Sequence, residues 1–346
     1  MNRPPISLCA DEPLRAGLLR VADSLIQHAV GCIKHPTKNR AEDVHVVRTS
    51  IKQLRSILRM MRPAIGRAFF ERENGHLRKA ARRLAFARDT DVARQTLAEL
   101  SDEVERDIIT TTIRGFEKQV TPPADIDNTM GDVARDLEQI GRCIATLRVP
   151  GDDWRVIEPG LVAVYRQGRK RMKRAVATGE DEAFHQWRIF VKHLYYELQF
   201  LESISPKRLS KMIGRLKKLQ DLIGADHDLA VLKSLLQKTP QKFGGAETVA
   251  SVVACLATKS TKLRHASEPL GTAIFYKKPR DFARKLRRHW NDWREPTRDD
   301  AQKLLSWQPY ADTHSANGMY AAIRRSSVAQ RNRERPHRSP SNEGNR

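Results

Sequence analysis

The stretch that decides the fold is VHVVRTSIKQLRSILRMMRP, residues 44–63. On a helix with 100° per residue, its cationic side chains fall within an arc of about 80° and extend roughly 21 Å along the axis. These side chains are His45, Arg48, Lys52, Arg55 and Arg59. The apolar residues from Val47 to Met61 fall on the opposite side, so the segment predicts an amphipathic helix.

A second stretch, FHQWRIFVKHLYYELQFLE (184–202), repeats this pattern 140 residues later. His185, Arg188 and Lys192 take the same angular positions, and Tyr195 stands in the place of Arg55. A recurrence at a long fixed offset indicates an internal duplication. We therefore expect the two stripes to line one continuous basic surface, with Arg48, Lys52, Arg188 and Lys192 pointing into a shared cavity.

The sign of the charge on these stripes bears on function. Segment 44–63 holds five Arg or Lys residues and no Asp or Glu, whereas solvated helix faces normally mix the two signs. A stripe of one sign repels itself, which favours an anionic ligand over a merely solvated face. The whole chain has a formal charge of +22 and a pI of about 10.2. Nucleic acid, polyphosphate and acidic lipid are the candidate partners.

Hydrophobic periodicity predicts an all-α protein, because nearly every periodic segment repeats at 3.6 residues. The predicted helices are 12–34, 41–62, 66–87, 89–119, 129–148, 158–178, 181–204, 206–224, 226–238, 245–266 and 279–294. We divide the chain into one domain, 1–295, and a polar, basic and largely disordered tail, 296–346. The domain contains repeats at about 11–149 and 154–295, joined near Pro150-Gly151.

Each repeat also contains a second basic segment, HLRKAARRLAFARDTDV (76–92) in the first and GRLKKLQDLIGADHDLAVL (214–232) in the second. Their cations either line the same surface as the stripes or are only solvated: Arg78, Lys79, Arg82, Arg83, Arg215, Lys217 and Lys218. Asp89 and Asp228 match at an offset of 139. We interpret both as helix N-terminal residues that cap free N–H groups, not as catalytic groups.

Cysteine usage and hydropathy predict a cytoplasmic protein without a membrane partner. Cys9, Cys32, Cys143 and Cys255 are scattered, with no C-x-x-C pair and no zinc spacing, as in reduced proteins. The first residues lack the apolar run of a signal peptide, and no stretch reaches the length of a transmembrane helix. We expect no metal and no cofactor; the oligomeric state stays open.

Two other functions are weighed against anion binding. An enzyme that acts on phosphoanhydrides is disfavoured, because Glu103-Val104-Glu105 and His227-Asp228 lack the further residues that such sites need and no P-loop occurs. A nucleic-acid-binding protein is not excluded by charge. However, aromatic residues are only 6% of the chain and no helix-turn-helix or RRM signature occurs. Weak, nonspecific nucleic-acid binding through the tail is expected.

The ordered set of motifs resembles the CHAD family, the conserved histidine α-helical domain, over about residues 11–294. Segment 44–63 is similar to its first His helix, RRLAFARDTDV (82–92) to its R-D-x-D-V turn, and EPGLVAVYRQGRKRM (158–172) with 184–202 to the start of its second half. The resemblance implies two pseudo-symmetric four-helix-type bundles with a basic groove or pore between them. It also implies non-catalytic binding of inorganic polyphosphate and association with polyphosphate granules.

Some residues are assigned to the site by the resemblance alone. Arg88 and Asp89 match the turn, and Tyr165 and Arg169 match the opening of the second half. Two departures put an equal contribution of the halves in doubt. Tyr195 stands where the second motif usually has Arg, and Asp226-His227-Asp228 replaces a more usual Asn-Asp.

Overall fold

Helices make up the regular structure of the protein in the computed structural model, which describes residues 6–84, 96–97, 108, 110–114, 126–149, 151 and 153–295. The predicted all-α class is thus confirmed. The longer helices of the described residues are α1 Leu14–Lys34, α2 Arg40–Ile65, α3 Arg67–Arg83, α4 Ile126–Ala145, α5 Glu158–Thr178, α6 Asp181–Phe200, α7 Pro206–Lys238, α8 Ala246–Phe275 and α9 Pro279–Arg294. Short 3-10 helices occupy Trp154–Val156, Glu202–Ile204 and Pro240–Phe243.

The first His helix, α2, has a defined start and runs past its proline. The Asn39 side chain accepts a hydrogen bond from the Glu42 backbone N–H at 3.2 Å, which caps the first turn. We predicted an end at Pro63, but the helix continues to Ile65. A proline removes one N–H without ending a helix whose face is buried, and Met61 and Ile65 are both buried here.

The predicted break near residue 225 is wrong, since α7 is continuous from Pro206 to Lys238. The apolar period carries through it, with Ile223 and Leu229 buried on either side. Asp228 lies well inside this helix, so its interpretation as an N-terminal cap is also wrong. Similarly, α8 passes through Pro269 and reaches Phe275, whereas the prediction stopped it at 266.

The nine longer helices of the described residues pack as a group of four and a group of five. In the first group, α1 packs against α2 and α4, and α3 also packs against both. In the second, α5 packs against α6 and α8, α7 also packs against both, and α9 covers α5. The groups meet where α2 packs against α5 and α6, so the two His helices are direct neighbours. The internal duplication itself stays a prediction.

A glycine permits this junction. A Cβ atom built on Gly160 of α5 would lie 1.9 Å from the backbone carbonyl oxygen of Met60 in α2. A larger residue would force one of the two helices to shift, because a backbone atom of a packed helix cannot turn aside as a flexible side chain can. Gly160 therefore sets how closely the two groups approach.

The described helices belong to one compact unit, Met1–Glu295. None of those helices is long and apolar enough to cross a membrane. Most of the predicted helix 89–119 and all of the predicted tail 296–346 lie outside the described residues. The boundaries of the repeats and of the tail stay predictions.

Candidate anion-binding site

A cavity of about 530 Å³ lies where α2, α6, α7 and α8 meet. Both His helices line it, with His45 and Lys52 from α2 and Arg188 and Lys192 from α6. In the described residues, its Lys and Arg side chains number five and its acidic side chains two, which leaves an excess of three positive charges. The remaining charged lining residues are Lys217, Lys259, Asp221 and Asp228.

Part of this charge is already compensated on α7. Lys217 Nζ lies 2.5 and 2.7 Å from the two carboxylate oxygens of Asp221, one turn further along the helix. Both side chains are half exposed, so this pair contributes little to stability. Lys217 can therefore exchange its carboxylate for another anion at low cost.

Beyond Lys192, the α6 wall is polar and carries no cation. Tyr195, which replaces the arginine of the first stripe, lines the cavity together with Tyr196 and Gln199. The Gln199 amide donates a hydrogen bond to the Tyr195 hydroxyl at 2.9 Å. The second His helix thus offers neutral hydroxyl groups where the first carries Arg55.

A pair of histidines lies beside this wall. The Nδ1 atoms of His185 and His227 are 3.2 Å apart, and the ring centroids are 4.6 Å apart. Burial lowers the pKa of His227 to about 4, and the charges of Arg188, His185 and Lys192 add to this effect. Burial lowers the pKa of His185 as well. Both rings are therefore neutral at pH 7, and the Nδ1–H of one ring donates a hydrogen bond to the Nδ1 of the other.

The first stripe continues past the cavity into a second basic cluster, made of Arg55 and Arg59 of α2 with Arg78 and Arg82 of α3. We call it the Arg55 cluster. Burial lowers the pKa of Arg55 to about 10, and the other three charges contribute repulsion. The Arg55 Nε donates to Asn74 Oδ1 at 2.9 Å, which holds its guanidinium against α3.

A carboxyl group that interacts with Arg59 of this cluster does not neutralise it. Glu197 of α6 is fully buried, and in the described residues its carboxyl oxygens make no hydrogen bond. Burial raises its pKa well above the usual range, although Arg59 opposes this shift. A neutral Glu197 leaves the positive charge of the Arg55 cluster uncompensated from this side.

Other predicted site residues have structural partners away from the cavity. The Arg48 guanidinium donates to the Leu84 carbonyl at the end of α3. Arg83 Nη1 lies 2.7 Å from Asp136 Oδ2 of α4, and Arg169 Nε donates to the Phe275 carbonyl at 3.0 Å. These arginines join helices, a role that their position in a motif did not reveal.

The structure does not place the remaining predicted site residues at the cavity. Arg215 lines a different pocket, described below. Lys79 and Lys218 are exposed and line neither pocket. Arg88 and Asp89 lie outside the described residues.

Sequence reasoning missed Lys259, which lies in α8 and carries no motif. It also missed the polar network that positions the cavity wall. Buried Asp226 of α7 accepts a hydrogen bond from Arg264 Nε of α8 at 2.9 Å, and Arg264 Nη2 lies 2.5 Å from Asp181 Oδ1 at the start of α6. Asp226, which departs from the family pattern, therefore helps to connect α6, α7 and α8, three of the four helices that line the cavity.

A family profile and one solved structure agree with this architecture. The family profile described as CHAD domain matches residues 18–237. The chain belongs to the CHAD family. A solved CHAD domain from the plant Ricinus communis superposes with a TM-score of 0.58 at 18% identity, over 80% of this chain and 96% of that chain. PptA from Streptomyces chartreusis gives 0.45 at 15% identity, over 79% and 100%. No curated protein sequence matches.

Proposed function

We propose that this CHAD protein binds inorganic polyphosphate, without catalysis, in the cavity between its two His helices. The observation that supports the proposal is the meeting of cations from both helices at one cavity: Lys52 from α2, with Arg188 and Lys192 from α6. Family membership supports the same ligand, because polyphosphate binding is a general property of CHAD domains.

The chemistry of the ligand matches the chemistry of the wall. Polyphosphate is a flexible chain with a negative charge on each unit, so it requires many cations of one sign and no single fixed geometry. A guanidinium such as that of Arg188 can bridge two phosphate oxygens, whereas Lys52 and Lys192 act as point charges. The cavity supplies both kinds of contact.

A long chain would meet further cations outside the cavity. Arg55 follows Lys52 by three residues on α2, so it lies about 4.5 Å further along the axis. Its pKa is already lowered by burial and by neighbouring arginines, so an anion would relieve unfavourable repulsion there. We infer that long chains bind more tightly than chains that fill the cavity alone.

The proposal assigns no catalytic role to the titratable groups of the wall. His185 and His227 bond to each other, and Asp221 bonds to Lys217. A protein that only holds polyphosphate would be carried to polyphosphate granules in the cytoplasm, which we propose as its location.

A charge-reversal experiment tests the proposal. We expect Arg188→Glu combined with Lys192→Glu to weaken binding of long-chain polyphosphate by at least about a hundredfold, because each lost charge-assisted contact accounts for about tenfold or more. Lys170→Glu with Lys173→Glu, two exposed sites on α5, makes the same change in net charge and serves as the control. Isothermal titration calorimetry gives the affinities, and circular dichroism verifies folding.

Competition decides between polyphosphate and nucleic acid. At physiological salt, DNA and RNA should displace polyphosphate only at a large excess of phosphate. Equal competition by nucleic acid, or equal loss of affinity in both double variants, would show that net charge alone drives binding and would refute the proposed site.

A further inference from the structure

A second pocket, of about 160 Å³, lies between the first turns of α7, the end of α8 and α9. Within the described part of the chain, no Asp or Glu lines it. Its cationic lining comes from three segments: Arg208, Lys211 and Arg215 of α7, Lys277 between α8 and α9, and Lys285 and His289 of α9.

This pocket is separate from the cavity between the His helices. On α7, Arg208, Lys211 and Arg215 are centred about 150° around the helix from the cavity residues Lys217, Asp221 and Gly224, at 100° per residue. The two sets therefore face nearly opposite sides of the same helix. A ligand in one pocket does not extend into the other across α7.

Among the described residues, the cations of this pocket are not matched by carboxylate groups. In the described residues, no ion pair joins Arg208, Lys211, Arg215, Lys277 or Lys285 to an acidic group. Elsewhere on α9, by contrast, Arg284 pairs with Asp281 at 3.1 Å and Arg287 pairs with Glu158. Arg284 and Arg287 are thus balanced by acidic groups, whereas in the described residues the cations that line the pocket are not.

The groups in the pocket also crowd one another. Burial lowers the pKa of Lys285, and nearby Lys277 lowers it further. His289 Nε2 lies 3.1 Å from Arg208 Nη1. Because a guanidinium only donates hydrogen bonds, His289 accepts here and is neutral. An anion at this point would satisfy several like charges at once.

The interior of the pocket is apolar. Tyr165 and Phe282 stack beneath it, with centroids 3.9 Å apart and planes at 7°. The Tyr165 hydroxyl is engaged, donating at 3.2 Å to the carbonyls of Ile274 and Lys277, so it does not face a ligand. At the mouth, the Tyr276 side chain is 64% exposed, and the Lys277 ammonium lies 5.6 Å from the centroid of its ring.

We propose that this pocket binds a nucleoside phosphate, with the base against the apolar floor and Tyr276 and the phosphates at Arg208, Lys211 and Lys285. Small-molecule pockets typically combine an apolar floor with a few polar groups that fix the anion. The pocket volume of about 160 Å³ accommodates one nucleobase. In the described residues the Tyr276 ring stacks on no other ring, and an inorganic phosphate chain would leave its exposed face without a stacking partner. The proposal does not depend on polyphosphate binding at the other cavity.

Calorimetry with ATP, AMP and inorganic tripolyphosphate tests this site in the full chain that carries Arg188→Glu with Lys192→Glu, so that phosphate bound in the cavity between the His helices does not contribute to the signal. ATP should bind at least about fivefold more tightly than tripolyphosphate, because base stacking adds to the phosphate contacts. Lys211→Glu with Lys285→Glu should weaken ATP binding by about tenfold or more. Tyr276→Ala should reduce the affinity for ATP and leave that for tripolyphosphate unchanged.

Two matched variants separate this site from the cavity. Lys170→Glu with Lys173→Glu should leave ATP binding unchanged in that background. The pocket should also have the same affinity for ATP in the unaltered protein, because Arg188→Glu with Lys192→Glu removes cations only from the cavity. The inference is overturned if tripolyphosphate binds as tightly as ATP, or if the α5 or cavity variants weaken ATP binding as much as Lys211→Glu with Lys285→Glu. Neither outcome bears on the polyphosphate proposal, which the charge-reversal and competition experiments test separately.

Discussion

A single residue, Gly160, determines how closely the two groups of helices approach. Its substitution gives a sharp test of this contact. Gly160→Ala should lower the free energy of unfolding by about 1–3 kcal/mol, the usual cost of overpacking, because the new Cβ would meet the Met60 carbonyl. Chemical denaturation monitored by circular dichroism measures the change.

A second glycine provides the matched control. Gly75 lies inside α3, and a Cβ there would meet nothing within 4 Å. Gly75→Ala should therefore be neutral or stabilise the protein by up to about 1 kcal/mol through helix propensity. Equal destabilisation by both substitutions would contradict the close approach at Gly160.

The sequence predicted only part of the site at the level of residues. Lys52, Arg188 and Lys192 line the cavity, whereas Arg48 of the same stripe bonds to the Leu84 carbonyl. Angular position on a helix indicates the side on which a residue lies, but not which neighbouring carbonyl is within reach of a long side chain. Lys259 belongs to a segment without a motif, so only the packing of α8 reveals it.

Among the helices, the contact of α6 with α7 through His185 and His227 predicts a pH dependence. The pKa of His227 is lowered to about 4 from its usual 6.5, mainly by burial. The neutral form is therefore the one that stabilises the fold, and the free protein should lose stability as pH falls from about 6.5 toward 4. Buried His193 on α6, whose pKa is also well below its usual value, contributes in the same direction. Melting temperatures across this range measure the loss, and His227→Gln should reduce it.

Polyphosphate binding should have the opposite pH dependence. A bound polyanion screens Arg188 and Lys192, the cations that face the His185–His227 pair, so it raises both pKa values and favours protonation. Binding should take up protons and become stronger from pH 7 to 5. Calorimetry in buffers of different ionisation enthalpy counts the protons. An affinity that does not change with pH would mean that the pair does not sense the ligand.

Hydrophobic periodicity predicted which segments are helical better than it predicted the residues at which the helices end. Both His helices were predicted from the spacing of apolar residues, because their buried faces follow the 3.6-residue repeat without interruption. The predicted breaks at Pro63 and near residue 225 failed, since burial of residues such as Ile65 and Leu229 outweighs local propensity. The packing of α2 against α6 is a tertiary contact. The matching cationic stripes suggested that the two helices share a surface, but their sequences alone do not determine this contact.

For the molecule as a whole, the account predicts a strong dependence of binding on salt. If about five cations contact the ligand, log K should fall linearly with log salt with a slope of about −3.5, by analogy with single-stranded nucleic acids. Arg188→Glu with Lys192→Glu should reduce the slope by about 1 to 2. Calorimetry at several potassium chloride concentrations gives these values, and a flat dependence would indicate a site with few charged contacts.

The most direct test asks whether the two His helices hold one ligand together. Titration with a short inorganic polyphosphate of defined length should give one high-affinity site per chain in the unaltered protein. Lys52→Glu on α2 and Lys192→Glu on α6 should each weaken that one site by about tenfold or more, with the fold unchanged. A protein with two such sites, of which each substitution abolishes one and leaves the other at full affinity, would contradict a shared site between the His helices.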